Sequence, residues 1–327
     1  HFHLQSGTVF LPNALSVPQL TISSGTLNSS NTITVSGPLN FVGGSLTGAG
    51  DIFANGGVSL TGGSLKSLTG HRLINAATFT WAAGQLNLGA GSVLTNLVSG
   101  TVDWQVDTSL GNPGGVATVG NAGLWRKVAG NGNSTIDRPF VNTGTVEVQT
   151  GTLYFSDTQV QTAGNTFLNG GNVRSDLPLR IEGGSLSGFG TVIGSVTNNG
   201  AVSPGTSPGQ LTVQGTYTQT TNGVLNIELA GAPNTTNYDR LVVTGTAVLA
   251  GTLNTTLTNY YPAPNVSFTN VIRGATRSGT FANFLYPSNI VGLQATYGTT
   301  NVNIDVINTL PSLPPIAPQN VNELVLL

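Results

Sequence analysis

The sequence predicts an all-β fold, a parallel β-helix, on three observations. First, a phrase returns along the chain. Gly43–Ile52 reads Gly-Gly-Ser-Leu-Thr-Gly-Ala-Gly-Asp-Ile, Gly183–Val192 reads Gly-Gly-Ser-Leu-Ser-Gly-Phe-Gly-Thr-Val, and a shorter copy lies at Gly62–Leu68. Second, Gly-x-aliphatic steps recur at Gly25-Thr-Leu, Gly84-Gln-Leu, Gly100-Thr-Val, Gly144-Thr-Val, Gly151-Thr-Leu and Gly251-Thr-Leu. Self-similarity with a period of about twenty residues marks a solenoid, in which each coil buries its apolar face only by stacking on the next. Third, strand signals dominate and no window holds a helical apolar stripe.

The runs 32–35, 145–149, 152–155, 225–229, 241–243 and 302–306 are each apolar or alternating and bounded by Gly, Asn, Ser or Pro. In a parallel coil their inward side chains stack as ladders of Val, Leu, Ile and Phe, with Asn and Thr stacking at the corners. Glycine is expected where the backbone turns with positive φ. Residues 1–236 form the coil in this reading, and 20–230 hold roughly ten rungs, a rod of roughly 50 Å at about 4.8 Å per rung. Residues 103–140, with Trp104, Trp125 and Arg126-Lys127, read as an irregular insertion. From 237 to 309, longer strands with Tyr, Phe and Pro read as a capping subdomain. Residues 310–327 are a Pro-rich linker leading into the apolar strand Val321-Asn-Glu-Leu-Val-Leu-Leu.

Composition narrows the function. The chain has 327 residues, 7% charged and 38% hydrophobic, with ten Lys+Arg against twelve Asp+Glu. Disorder needs low hydrophobicity and high net charge, and neither holds. A phosphate backbone requires clustered cations, so nucleic acid is not an expected partner. No apolar run reaches the roughly 18 residues of a membrane helix, and no membrane insertion by this chain is expected. The absence of Cys fits a large core and an extracellular setting. The absence of Met means that the chain is processed or belongs to something longer.

The stretch Asn199-Gly-Ala-Val-Ser-Pro-Gly-Thr-Ser-Pro-Gly-Gln-Leu-Thr-Val-Gln-Gly-Thr-Tyr-Thr-Gln resembles the junction late in autotransporter passenger domains. The following Gly223-Val-Leu-Asn-Ile-Glu-Leu, Tyr238-Asp-Arg-Leu-Val-Val-Thr-Gly-Thr-Ala, Leu249-Ala-Gly-Thr-Leu and Ser278-Gly-Thr-Phe are similar too. The resemblance implies a right-handed coil whose last rungs and cap lie in about 180–306. It implies little about function, because one scaffold carries adhesins, proteases and stalks. An autotransporter would continue into a membrane β-barrel, whereas here the Pro-rich linker follows.

Little in the sequence points to catalysis. Polysaccharide lyases and hydrolases on this scaffold need converging carboxylates, and the twelve acids are dispersed. Asp103 and Asp107, and the Asp137-Arg138 pair, read as turn caps or surface ion pairs. The calcium-binding nonapeptide is missing, and no cofactor or metal is expected; His1-Phe2-His3 suits Cu(II) only if His1 is a mature terminus. The expected function is a non-enzymatic structural or adhesive β-solenoid of the bacterial cell surface. It would be a subunit of a fibre assembling head-to-tail, with Val321, Leu324, Val325, Leu326 and Leu327 as the self-association residues. Trp81, Trp104 and Trp125 read first as core or corner packing. The alternative function is a monomeric adhesin contacting surface glycans through Trp104 and Trp125, and a polysaccharide-degrading enzyme ranks below both.

Overall fold

The computed structural model describes residues 1–234 and 236–307, among which every regular element is a strand. Three strands make a rung. Leu20–Ile22 lies on a first face, Thr26–Ser29 on a second and Ile33–Val35 on a third, before Leu39–Phe41 returns to the first. Leu20 then stands beside Leu39, Thr26 beside Ser45 and Ile33 beside Ile52, each 19 residues on and each parallel. The molecule is a parallel β-solenoid. Its third face is a continuous 13-stranded sheet, and ten of those strands, Ile33–Val35 to Tyr217–Gln219, fall within residues 20–230. Twelve spacings of about 4.8 Å put roughly 58 Å between the first and last of them.

The first and second faces merge into one 28-stranded sheet, because Ser185–Ile193 rounds the corner without a break. Its start pairs with Asn165–Asn169 on the first face and its end with Leu211–Gln214 on the second. Gly188 and Gly190 turn that corner at φ 95° and 152°. A Cβ on Gly188 would sit 2.0 Å from the Leu168 carbonyl oxygen, so only glycine fits.

The recurring phrase does not mark equivalent places in the coil. Gly44–Gly48 lies on the second face, whereas its copy at Ser185 enters the first. The short copy is out of step as well: Leu46 stacks on Leu68, not on Leu65. What repeats is the chemistry of a corner, a glycine turn feeding a strand, and any corner can use it. The Gly-x-aliphatic steps behave alike: Leu27, Leu86 and Leu153 enter the second face, Val102, Val146 and Leu253 the first, and all six are buried.

Residues 103–140 are coil and not an insertion. Trp104 pairs with Lys127, and Lys127 with Val148, in unbroken parallel register. The rung from Val93 to Thr118 is 25 residues long where the one before it has 21, with the extra residues spread over its turns. Beyond residue 237 parallel stacking also continues, in rungs of 30 residues, from Tyr217 to Ala247 and from Thr246 to Thr276. Between the described strands the pairing changes at Ser267–Arg273, which runs antiparallel to Asn301–Ile307; Gly292–Tyr297 then closes the other edge of that strand.

Candidate functional site

The interior is lined by columns of stacked side chains. On the first face one inward column runs Ile22, Phe41, Leu60, Trp81, Trp104, Lys127 and Val148. Trp81 and Trp104 stack with centroids 4.2 Å apart and planes 3° from parallel. Trp125 occupies the adjacent inward column beside Val102 and meets Phe140 edge-on at 5.4 Å. Trp104 and Trp125 are both 0% exposed. A sugar cannot stack on either without opening the coil, so both tryptophans pack in the core, as read first from the sequence, and neither forms the alternative glycan platform. Large rings there fill the space that aliphatic ladders fill elsewhere.

Two lysines and an arginine are also inside. Lys66 Nζ donates to the carbonyls of Gly62, Ser64 and Ala83 at 2.9, 3.0 and 3.3 Å, and burial pushes its pKa down. Lys127 stacks on Trp104 and donates to Asp107 Oδ1 at 2.6 Å, the Ala129 carbonyl at 2.9 Å and Ser134 Oγ at 3.0 Å. Burial alone would raise Asp107. The Lys127 ammonium and the Gly132 N–H outweigh it and hold the carboxyl below its ordinary value. Arg138 donates to the carbonyls of Leu88, Gly114 and Gly115, and burial lowers its pKa. These cations tie turns to the core. Asp137 instead accepts from Ser156 Oγ at 2.7 Å, so Asp137 and Arg138 are not the ion pair read from sequence.

The third face carries an amide ladder that sequence reasoning placed at corners. Asn75, Asn96, Asn121, Asn142 and Gln161 stack in register as the last residues of successive strands, all within the buried interior. Each Nδ2 donates to the next amide oxygen, at 2.8, 2.8, 2.8 and 3.3 Å. Ile181 interrupts the column, and Asn198 and Gln219 resume it, with Tyr217 Oη bridging them at 3.0 and 2.7 Å. Spare donors reach carbonyls of the next corner, as Asn121 Nδ2 does at Thr145 (3.0 Å).

Asp239 forms a clasp near the last rungs. Only 6% exposed, it accepts from Gly209 N at 2.8 Å and Glu228 N at 2.9 Å. It therefore ties the Ser-Pro-Gly turn, residues 203–209, to the strand Val224–Leu229. Burial pushes its pKa from 3.8 to about 7, against the two N–H donors and with help from the Glu228 carboxylate. Since the folded pKa is the higher, the folded protein binds this proton more tightly than the unfolded chain. The resulting stability is complete below pH 4 and is lost as pH rises through about 7. Urea titrations of the wild type between pH 4 and 8 are expected to show a decline of up to about 4 kcal/mol. Asp239→Asn should flatten that slope whatever its own stability.

One open groove combines charge with access. It measures about 440 Å³ and is lined by Gln210, Arg240, Val242, Thr244, Arg273 and Ala275, among others. Arg240 and Val242 point outward from one strand while Leu241 and Val243 fill the core, and Thr244 is exposed just past the strand's end. Val242 is paired with Arg273 on the next rung. The groove is distinctive for its unpaired charge. Arg72, Arg126, Lys127, Arg174 and Arg180 pair with carboxylates, and Lys66, Arg138 and Arg277 donate to carbonyl oxygens. Among the described residues, the side chains of Arg240 and Arg273 have neither, and Arg240 Nε is buried without a hydrogen-bond partner.

The sequence-predicted self-association residues Val321, Leu324, Val325, Leu326 and Leu327 lie outside the described residues. At the other end, His1 Nε2 lies 3.1 Å from Thr21 Oγ1 and His3 Nε2 2.7 Å from Ser23 Oγ. Among the described residues, no three His, Asp or Glu side chains are grouped to hold a metal ion.

The chain is 30% identical over 173 residues to the uncharacterized protein YuaQ of Escherichia coli strain K12. The match covers 51% of this chain and 11% of that protein. No family model and no solved structure matches the chain.

Proposed function

We propose that this chain is a non-enzymatic structural or adhesive β-solenoid of the bacterial cell surface, similar to autotransporter passengers, and that it serves as a unit of a fibre. The observation that carries the reading is the outward surface of the coil. On the first face a column runs His3, Thr21, Asn40, Ser59 and Thr80, one residue per rung and without Asp, Glu, Lys or Arg. Asp103, Arg126 and Glu147 continue it with charges of alternating sign, and Arg126 is paired with Asp103. Acids that lie near one another along the chain are bound to cations or hydroxyls, an arrangement that suits a scaffold better than a catalytic groove.

In the fibre, solenoids stack end on end, and residues 321–327 lock one copy to the next. The edges of Phe2–Leu4, Thr8–Leu11 and Leu15–Val17 each have one neighbour among the described residues, and Phe10 is 71% exposed beside them. In the proposed stack these edges pair with the far end of the next copy. A head-to-tail contact that does not close a ring gives an open filament.

Negative-stain microscopy tests this. Filaments with an axial repeat of roughly 60 Å, set by the stacked rungs, are expected. Removal of residues 311–327 should abolish them and leave the β-sheet circular dichroism unchanged. Isolated rods at every concentration would refute the fibre.

A further inference from the structure

We propose that the groove between Arg240 and Arg273 binds a carboxylated sugar, a uronate-type unit of an acidic polysaccharide. The inference is independent of fibre formation, since it rests on the outward surface of the second face.

The argument begins with charge. Of the ten cations, eight are neutralised or caged by carbonyls, and the two that have no such partner among the described residues line one groove. Register sets their separation: Arg273 stands beside Val242, two residues along from Arg240 on the neighbouring strand. Two residues at about 3.3 Å and one strand spacing of about 4.8 Å put their Cα atoms roughly 8 Å apart. Guanidinium groups on stems of that spacing can converge on a single anion. Two uncompensated like charges there repel each other, and a bound anion turns that repulsion into attraction.

The kind of anion follows from the rest of the lining. A guanidinium fork matches a carboxylate with two parallel N–H···O bonds. Between and beside the arginines lie Val242 and Ala275, small apolar surfaces against which the C–H face of a pyranose can rest. Gln210 and Thr244, both exposed, supply hydrogen bonds for hydroxyl groups. A volume of about 440 Å³ with an open mouth accepts one sugar ring with its neighbours extending outward. Nucleic acid is the poorer fit, because two cations neutralise too few phosphates.

Calorimetric titration of the full chain with trigalacturonate tests the proposal, beside neutral maltotriose and dextran sulfate. Trigalacturonate is expected to bind, and raising the salt should weaken it. Arg273→Gln and Arg240→Gln should each weaken it by at least about tenfold with the thermal transition unchanged, and Arg273→Lys should recover only part of the loss. Because Arg273 is exposed at the end of its strand, its variants report on binding even if Arg240→Gln fails to fold. Absence of trigalacturonate binding would overturn the proposal, as would binding that neither substitution alters. Tighter, arginine-dependent binding of dextran sulfate would overturn the carboxylate assignment and point to a sulfated ligand. Equal binding of maltotriose would show that the arginines do not select the ligand.

Discussion

Replacing Trp104 by alanine is expected to destabilise the coil by about 3–5 kcal/mol, the range for removing a large aromatic from a close-packed core. The cost is high here because the site cannot collapse. Trp104 is held from one side by Trp81 at 4.2 Å and followed on the next rung by the aliphatic stem of Lys127. The backbone around it is fixed by parallel ladders on both edges. A cavity one indole wide would stay open. It would also loosen Lys127, whose ammonium reaches Asp107 at the turn, so the loss should spread to the neighbouring rungs. Chemical denaturation followed by tryptophan fluorescence and by circular dichroism measures it. If the two probes separate in the variant but coincide in the wild type, the coil has broken into independently unfolding blocks, as a quasi-one-dimensional repeat does. A loss under about 1 kcal/mol would mean that the ring is not part of the tight core.

Asn121→Ala is the second large effect, at about 2–4 kcal/mol. The Asn121 amide accepts from Asn96 and donates to Asn142 at 2.8 Å, and it also reaches the Thr145 carbonyl at 3.0 Å. Its removal takes partners from polar atoms in a dry interior, where each unsatisfied group costs about 1–3 kcal/mol. Asn75→Ala is the comparison. Asn75 begins the ladder and its Oδ1 has no partner, so fewer bonds are lost. Equal losses at the two positions would show that the ladder acts as separate side chains.

The coil was legible in the sequence because its strands obey local rules. Apolar runs bounded by glycine and asparagine became strands nearly residue for residue, as Thr152–Phe155 did. The rung count followed from the period. Position within the rung was not legible from the repeated phrase, because Gly-Gly-Ser-Leu reports a corner and the coil has three per turn. The amide ladder did leave a signal, in Asn121-Ala-Gly-Leu, Asn142-Thr-Gly-Thr and Asn198-Asn-Gly-Ala, an amide two residues before a corner glycine. Read alone, each looks like a solvated turn, and only the register puts the amides above one another. The tryptophans were legible as packing but their register was not: residues 103–140 read as an irregular insertion, whereas strand alternation there sends Trp125 and Lys127 inward and Arg126 out. The arginine groove was beyond sequence, since Arg240 and Arg273 are brought together only by a 31-residue rung.

The two kinds of pairing give the molecule a mechanical grain. Tension along the axis of the coil pulls each rung away from the next along the direction of its hydrogen bonds. Such a contact peels one turn at a time and releases roughly 60 Å of slack chain per turn of about twenty residues. Asn301–Ile307 is clamped on both sides by antiparallel neighbours. A load entering there must break two ladders together. A coil built in this way is stiff at one end and extensible along its length, and it dissipates a sudden pull without losing the whole fold.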